Sequence, residues 1–219
     1  MSKVITEINS TVNEIYAKSI ITQKFSNPTD NPLELKIYII KSDKLLFTSF
    51  TCKIGDIIEV KSKVIKKEKA EIKYTDSIAS GNAVIFVSQD PEDENKIIIN
   101  MGNIPPKTEL LFISEFMSLI EVSQKYEFEL FRNLPIFEGS KDIYQNSELK
   151  GKINIISKNS IIDIEKNILM KDLKIIEEKY QNDKQNNYTI LYKIDTLPDF
   201  SWNNLEYIPS SKIYFDFNT

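Results

Sequence analysis

The sequence predicts an all-β protein, an antiparallel β-sandwich with one short α-helix at about residues 66–80. Three observations carry this. Short apolar runs alternate with a period of two. Turn residues interrupt those runs at intervals of roughly 8 to 15 residues, a sandwich spacing. One stretch without proline or glycine changes to the helical period.

The elements follow in order. Val12 to Phe25 is rich in β-branched residues and reads as one strand, although its alternation is imperfect. Ser26-Asn27-Pro28-Thr29-Asp30-Asn31-Pro32 ends it as a dense turn signal. Leu33 to Ile40 places Leu33, Leu35, Ile37 and Ile39 on one face. Leu45 to Cys52 is a third strand, stopped by Ile54-Gly55-Asp56, and Ile57 to Ile65 is a fourth. From Lys66 to Ser80, Ala70, Tyr74 and Ile78 recur at i, i+4 and i+8, which is one face of a helix. Gly81 stands where a left-handed C-terminal cap belongs.

Strands resume at Ala83 to Val87 and Lys96 to Met101, joined by the acidic turn Asp90 to Asn95. Gly102-Asn103-Ile104-Pro105-Pro106 reads as a hard break. Leu110 to Val122 fits a buried strand or a helix, and its β-neighbours favour strand. Tyr126 to Leu130 alternates, and Leu149 to Ile156 reads as a strand. Ser160 to Tyr180 fits a helix through Leu169, Leu173, Ile176 and Tyr180, or an edge strand from Leu173. Gln181 to Asn187 reads as a polar loop, and strands follow at Tyr188 to Ile194 and Lys212 to Phe217.

Composition narrows the chemistry. Of 219 residues, 41% are hydrophobic and 27% charged, which fits a folded globular chain. No histidine is present, so His-based triads and His metal ligands are excluded. The single cysteine, Cys52, allows no internal disulfide and no Cys-rich zinc site. Only Arg132 is available for guanidinium recognition, and Asp+Glu exceed Lys+Arg by 32 to 28, against general nucleic-acid binding. No 18-residue apolar run and no signal-peptide core appear, so neither a membrane nor a secretory route is expected; with one thiol, the expectation is a cytoplasmic protein.

Each candidate site has a plainer reading. Asp199-Phe200-Ser201-Trp202-Asn203 touches the D-x-S-x-S pattern of metal-dependent adhesion sites, but Asn203 replaces the last hydroxyl and the segment reads as a loop. Asp90, Glu92, Asp93 and Glu94 lack EF-hand spacing and read as a solvated turn. Cys52 has no histidine to activate it and reads as a buried thiol. Lys61, Lys63, Lys66, Lys67 and Lys69 lack interleaved aromatics and read as a solvated surface. Asn9-Ser10-Thr11 and Asn187-Tyr188-Thr189 match the glycosylation pattern, which matters only in a secreted protein. No P-loop, G-x-G-x-x-G or G-x-S-x-G is present. No catalytic, cofactor-binding or metal residue is assigned.

Four segments stand in the order of a known family. Phe25-Ser26-Asn27-Pro28-Thr29-Asp30-Asn31-Pro32-Leu33-Glu34 resembles the F-x-N-P-[ST]-x-x-P-[LI]-E segment of VIT (vault protein inter-alpha-trypsin) domains. Ile54-Gly55-Asp56 is similar to the family's I-G-D turn. Lys67-Glu68-Lys69-Ala70, Tyr74, Gly81 and Gln89 resemble its helix-and-strand segment, and Gly102-Asn103-Ile104-Pro105-Pro106 its G-N-I-P-P motif. Lys107 departs from the family, which often has Gly there, and Ser77 stands where Ala is common. The matched residues have structural roles: prolines end pairing, and Gly55, Gly81 and Gly102 permit backbone angles that other residues resist.

The resemblance implies a VIT-like β-domain at 10–135, with 136–219 as a β-region completing or extending the sandwich. It also implies a non-catalytic interaction or scaffold module without cofactor. Its implied partners are proteins: a von Willebrand type A domain in cis, or vault components. Two alternatives stay open. One is an extracellular matrix or adhesion fragment like the inter-alpha-trypsin heavy chains. The other is a regulatory region of a vault-type ADP-ribosyltransferase.

Overall fold

The computed structural model describes residues 4–40, 44–55, 58–61, 67–129, 134–138, 148–157, 161–167, 174–182, 185–194 and 212–217. These form β1 (Ile5–Asn13), β2 (Tyr16–Ser26), β3 (Leu33–Ile40), β4 (Leu45–Ile54), β5 (Ile58–Lys61) and α1 (Lys67–Ala79). Next come β6 (Val84–Gln89), β7 (Lys96–Ile104), β8 (Glu109–Leu119), β9 (Glu121–Val122), β10 (Tyr126–Glu129) and β11 (Ile136–Phe137). The chain closes with β12 (Glu148–Ser157), β13 (Ile161–Asn167), β14 (Lys174–Asn182), β15 (Gln185–Ile194) and β16 (Lys212–Phe217). The predicted class holds: among the described residues strands dominate, with one short helix.

The strands make three sheets. The large one has the order β14-β15-β12-β1-β2-β8-β4-β5, and the two smaller ones β11-β3-β7-β6 and β13-β16-β10-β9. Described pairings are antiparallel except β1 with β12, which run parallel. A parallel pair needs a long crossover, here everything from β2 to β11. β1 therefore lies between an early strand, β2, and a late one, β12.

Alternation decides the inner face. Thr6, Ile8, Ser10 and Val12 of β1, Ala17, Ile21 and Phe25 of β2, and Leu110, Phe112 and Phe116 of β8 are buried. Ile37, Ile39, Ile99 and Met101 of the second sheet and Phe128, Ile213 and Phe215 of the third belong to the same core. Phe137 of β11 stacks on Phe25 at 5.7 Å and meets Phe112 edge-on at 5.5 Å, tying the second sheet to the first.

Several expectations are corrected. The single strand Val12–Phe25 is two strands of a hairpin turning at Glu14 and Ile15. The two residues shift the parity of burial, so Val12 and Ala17 point inward while Ile15 is exposed; this is why alternation looked imperfect. Glu14 adopts φ +42 without any Gly or Asn-Gly signal to announce it. Gly102 is not a break, because β7 continues to Ile104 and the bend falls after it. Nor does Gly102 need an unusual φ; a Cβ there would lie 1.9 Å from Ile78 Cδ1, so its role is to let α1 approach. Of the expected loop Gln181–Asn187, Gln181 and Asn182 end β14 and Gln185 to Asn187 begin β15, while residues 183 and 184 lie outside the described residues. Within Ser160–Tyr180 the described residues are strands, so Ile176 and Tyr180 are not helical, while Leu169 and Leu173 lie outside the described residues.

Other elements stand as expected. α1 rests Tyr74 on Phe86 of β6 at 5.6 Å. Gly81 caps it at φ +72, with Gly81 N–H donating to Ile78 O and Asn82 N–H to Ser77 O, the paired bonds of a Schellman motif. Gly55 also takes a left-handed angle, φ +58.

The corner between β2 and β3 is locked by Asn27, which is 1% exposed. Its Nδ2 donates to the carbonyls of Asn31 at 3.1 Å and Pro105 at 3.0 Å, with a longer contact to Ile104 O at 3.4 Å. Its Oδ1 accepts from Thr29 N–H at 3.0 Å and Thr29 Oγ1 at 2.8 Å. Lys107, at the position where glycine is frequent in VIT domains, keeps the left-handed backbone with φ +52. Its ammonium donates to Pro28 O at 2.7 Å and pairs with Asp30 at 3.1 Å, which secures the turn from outside.

Candidate interaction surface

The outer face of the large sheet carries a group of apolar side chains that the core does not use. Cross-strand register assembles it. Tyr16 of β2 lies opposite Leu119 of β8, and Met117 of β8 opposite Leu46 of β4. Ile15, at the hairpin tip, adjoins Tyr16 and accepts the backbone N–H of Ile120 at 2.9 Å. Ile15, Leu46 and Leu119 are 62–66% exposed, while Tyr16 and Met117 are each 38% exposed. Single exposed apolar residues are ordinary; five brought to one end of one face are a patch.

Two ion pairs flank the patch. Lys18 pairs with Glu115 at 3.0 Å, and Lys44 with Glu121 at 2.6 Å. Asn13 Nδ2 donates to Tyr16 Oη at 3.2 Å. With these two pairs neutralised locally, the patch offers a partner mainly apolar area. An apolar centre inside a polar rim is the anatomy of a protein interface, and Tyr and Met are enriched there.

Sequence reasoning did not single these residues out. The available signal was apolar residues at both parities near strand ends, as in Leu45-Leu46 and Phe116-Met117. Those doublets read as continuous core when the partner strands are unknown.

The earlier candidates are dispersed. Cys52 is buried on β4, and desolvation pushes its thiol up to about 12, so it is not a nucleophile near neutral pH. In the acidic turn, Asp90 Oδ1 accepts Glu92 N–H and Asp93 Oδ1 accepts Asn95 N–H, so two carboxylates serve the hairpin itself. Among the described residues no cluster of carboxylates and cysteine has metal-ligand geometry. Lys61 pairs with Glu59 at 2.9 Å, and Lys69 is exposed on α1. Lys63 and Lys66 lie outside the described residues, as does Asp199 to Asn203. Asn9 is exposed mid-strand, paired on both sides by β2 and β12, and its neighbour Ser10 is buried against Ser19 at 2.8 Å. Asn187 lies within β15.

Fold and surface together define a β-sandwich module with an exposed apolar face. The sequence model of the Vault protein inter-alpha-trypsin domain, VIT, matches residues 4–114, and the chain belongs to this family. That match covers β1 to the middle of β8, including the Asn27 corner, Gly55, α1 and Gly102.

Relatives place it further. A von Willebrand factor A domain-containing protein of Dictyostelium discoideum is 33% identical over 101 residues, covering 46% of this chain and 11% of the relative. A second protein of that description, from the same organism, is 27% identical over 179 residues, covering 73% of this chain and 19% of its own length. Human protein mono-ADP-ribosyltransferase PARP4 is 24% identical over 115 residues, covering 52% of this chain and 6% of the relative. The chain thus spans less than a fifth of each of these relatives.

Proposed function

We propose that this VIT domain is a non-catalytic interaction module that seats a von Willebrand type A domain of the same polypeptide, in the cytoplasm. The observation that carries the reading is the patch of Ile15, Tyr16, Leu46, Met117 and Leu119, flanked by the ion pairs Lys18–Glu115 and Lys44–Glu121. The recurrence of type A domains in the names of the Dictyostelium relatives supports the choice of partner. A buried thiol with no titration near neutrality, in a chain without histidine, supports a non-catalytic role.

The test is association with the type A domain encoded in the same gene, measured by calorimetry. Met117→Lys with Leu119→Lys is expected to weaken binding at least tenfold, about 1.4 kcal/mol. Both side chains are partly or largely exposed, so the double variant keeps its melting temperature within a few degrees. Unchanged affinity in a folded double variant refutes the assignment of the surface, and no association by the unaltered domain refutes the partner.

A further inference from the structure

The tip of the β1–β2 hairpin goes against local preference at both of its residues. Asn13 pairs with Tyr16, so Glu14 and Ile15 alone make the turn. Turns of this length favour Gly, Asn or Asp, because their central residues take positive φ. Here Glu14 takes φ +42, where a Cβ crowds the backbone. Ile15 follows it, a β-branched apolar side chain left 66% exposed in a turn. It takes no part in the buried core, so packing does not account for it. A residue choice that opposes its own local structure is the pattern expected at a functional position.

The tip is also held in place. Val12 and Ala17, directly opposite one another behind the turn, are both fully buried and root it in the core. Ile120 N–H donates to Ile15 O at 2.9 Å, which ties the turn to the residue that follows β8. Asn13 Nδ2 donates to Tyr16 Oη at 3.2 Å, which fixes that ring beside Ile15. Leu46, Met117 and Leu119, by contrast, lie along the strands β4 and β8. An apolar side chain on a backbone that is already ordered loses little entropy on binding, and a few such residues carry most of an interface's energy.

We infer, resting on the reading of this patch as the seat of the type A domain, that Ile15 is its specificity-determining anchor. The partner presents an apolar socket that takes one branched aliphatic side chain, and the Tyr16 ring packs against the rim of that socket. Leu46, Met117 and Leu119 supply the surrounding apolar area. The strained turn persists because the residues that would relax it, such as Gly-Ser, would remove the anchor.

The test is calorimetry of the whole chain against the type A domain of the same polypeptide, with each variant's melting temperature read in parallel. Glu14→Gly with Ile15→Ser should bind about tenfold or more weakly. It should melt no more than roughly 2 °C below the unaltered chain, because the turn relaxes as the exposed side chain is lost. Glu14→Gly alone, and Ile15→Val, which keeps the branched apolar shape, should each bind within about threefold of the unaltered chain. Leu46→Ser, equally exposed but on a strand, should lose less than about threefold. Three results overturn the anchor: unchanged affinity in the Gly-Ser variant, a loss for Leu46→Ser as large as for that variant, or a larger fall in melting temperature, which assigns Ile15 to the fold. With any of these, weaker binding by Met117→Lys with Leu119→Lys still upholds the seat itself. No association by the unaltered chain overturns the proposed function and the anchor together.

Discussion

Replacing Asn27 by alanine tests whether the family's most distinctive segment is a clamp. The substitution removes both functions of the amide: donation to Asn31, Ile104 and Pro105 carbonyls, and acceptance from Thr29. Asn31 and Thr29 lie at an exposed turn, and water can replace their bonds at little net cost. The contact to Ile104 O is buried and that to Pro105 O partly so, and Asn27 itself is 1% exposed. A buried acceptor left without a donor costs about 1–3 kcal/mol. Two such losses, one of them partial, give about 3 kcal/mol, and for a chain of this size that lowers the melting temperature by roughly 6–12 °C.

Urea denaturation followed by far-ultraviolet circular dichroism measures the change. Asn27→Asp discriminates further. The carboxylate keeps the Thr29 bonds but turns an anion towards carbonyl oxygens, so it should cost more than alanine at pH 7. Burial among acceptors raises the folded pKa of that carboxyl above its unfolded value near 3.9. The penalty is therefore present above the folded pKa and shrinks as pH falls towards 4, where the protonated group donates again. A loss under 1 kcal/mol for alanine, or aspartate no worse than alanine at pH 7, would refute the clamp.

Three further outcomes follow from the same structure. Gly151→Ala should destabilise by about 1–3 kcal/mol in urea melts, because the new Cβ would lie 1.9 Å from Cζ of the buried Tyr192 ring. Gly102→Ala should cost less, since its closest neighbour is the terminal methyl of Ile78, which can rotate away. Cys52, with its thiol pushed up to about 12, should alkylate at pH 9 roughly a thousandfold more slowly in the native state than in urea, as mass spectrometry would show. Because that pKa is raised, the neutral thiol's contribution is complete below the unfolded value near 8.5 and declines as pH rises towards 12.

The parts of the fold legible in the sequence were those with local causes. Leu33–Ile40 alternates because one face is core, and its bounds were read to the residue. The helix and its Gly81 cap follow from a change of period and one permissive residue. What was not legible depended on partners distant in sequence. β1 carries buried Thr6 and Ser10 on its inner face, so its alternation did not show as hydropathy. Ser10 is tolerated because Ser19, directly across in β2, shares its hydrogen bond. The outer patch was illegible for the same reason: Met117 and Leu46 become neighbours only through the β4–β8 register.

The positions that identify the family have one property in common: each has a backbone or packing role inside the domain. Asn27, Gly55, Gly81, Gly102 and Pro105 lie at corners, caps and a helix contact. Each is constrained by backbone geometry or by a buried carbonyl. A chain can satisfy all of these and still present any outward side chain, because outward positions of a strand are independent of the inward ones that hold the core. Lys107 illustrates the limit of that freedom. It keeps the left-handed turn at a position where glycine is frequent, and its long side chain ties back to Pro28 and Asp30. Lys107→Gly relieves about 1 kcal/mol of backbone strain but loses exposed contacts and gains unfolded-state entropy of similar size, so the net change should stay within about 1 kcal/mol. Under the proposed function, partner choice lies on the outer face, where Ile15 at the hairpin tip, Leu46 and Leu119 are exposed. Variants there should change binding with little change in stability, while variants at the corners should do the reverse.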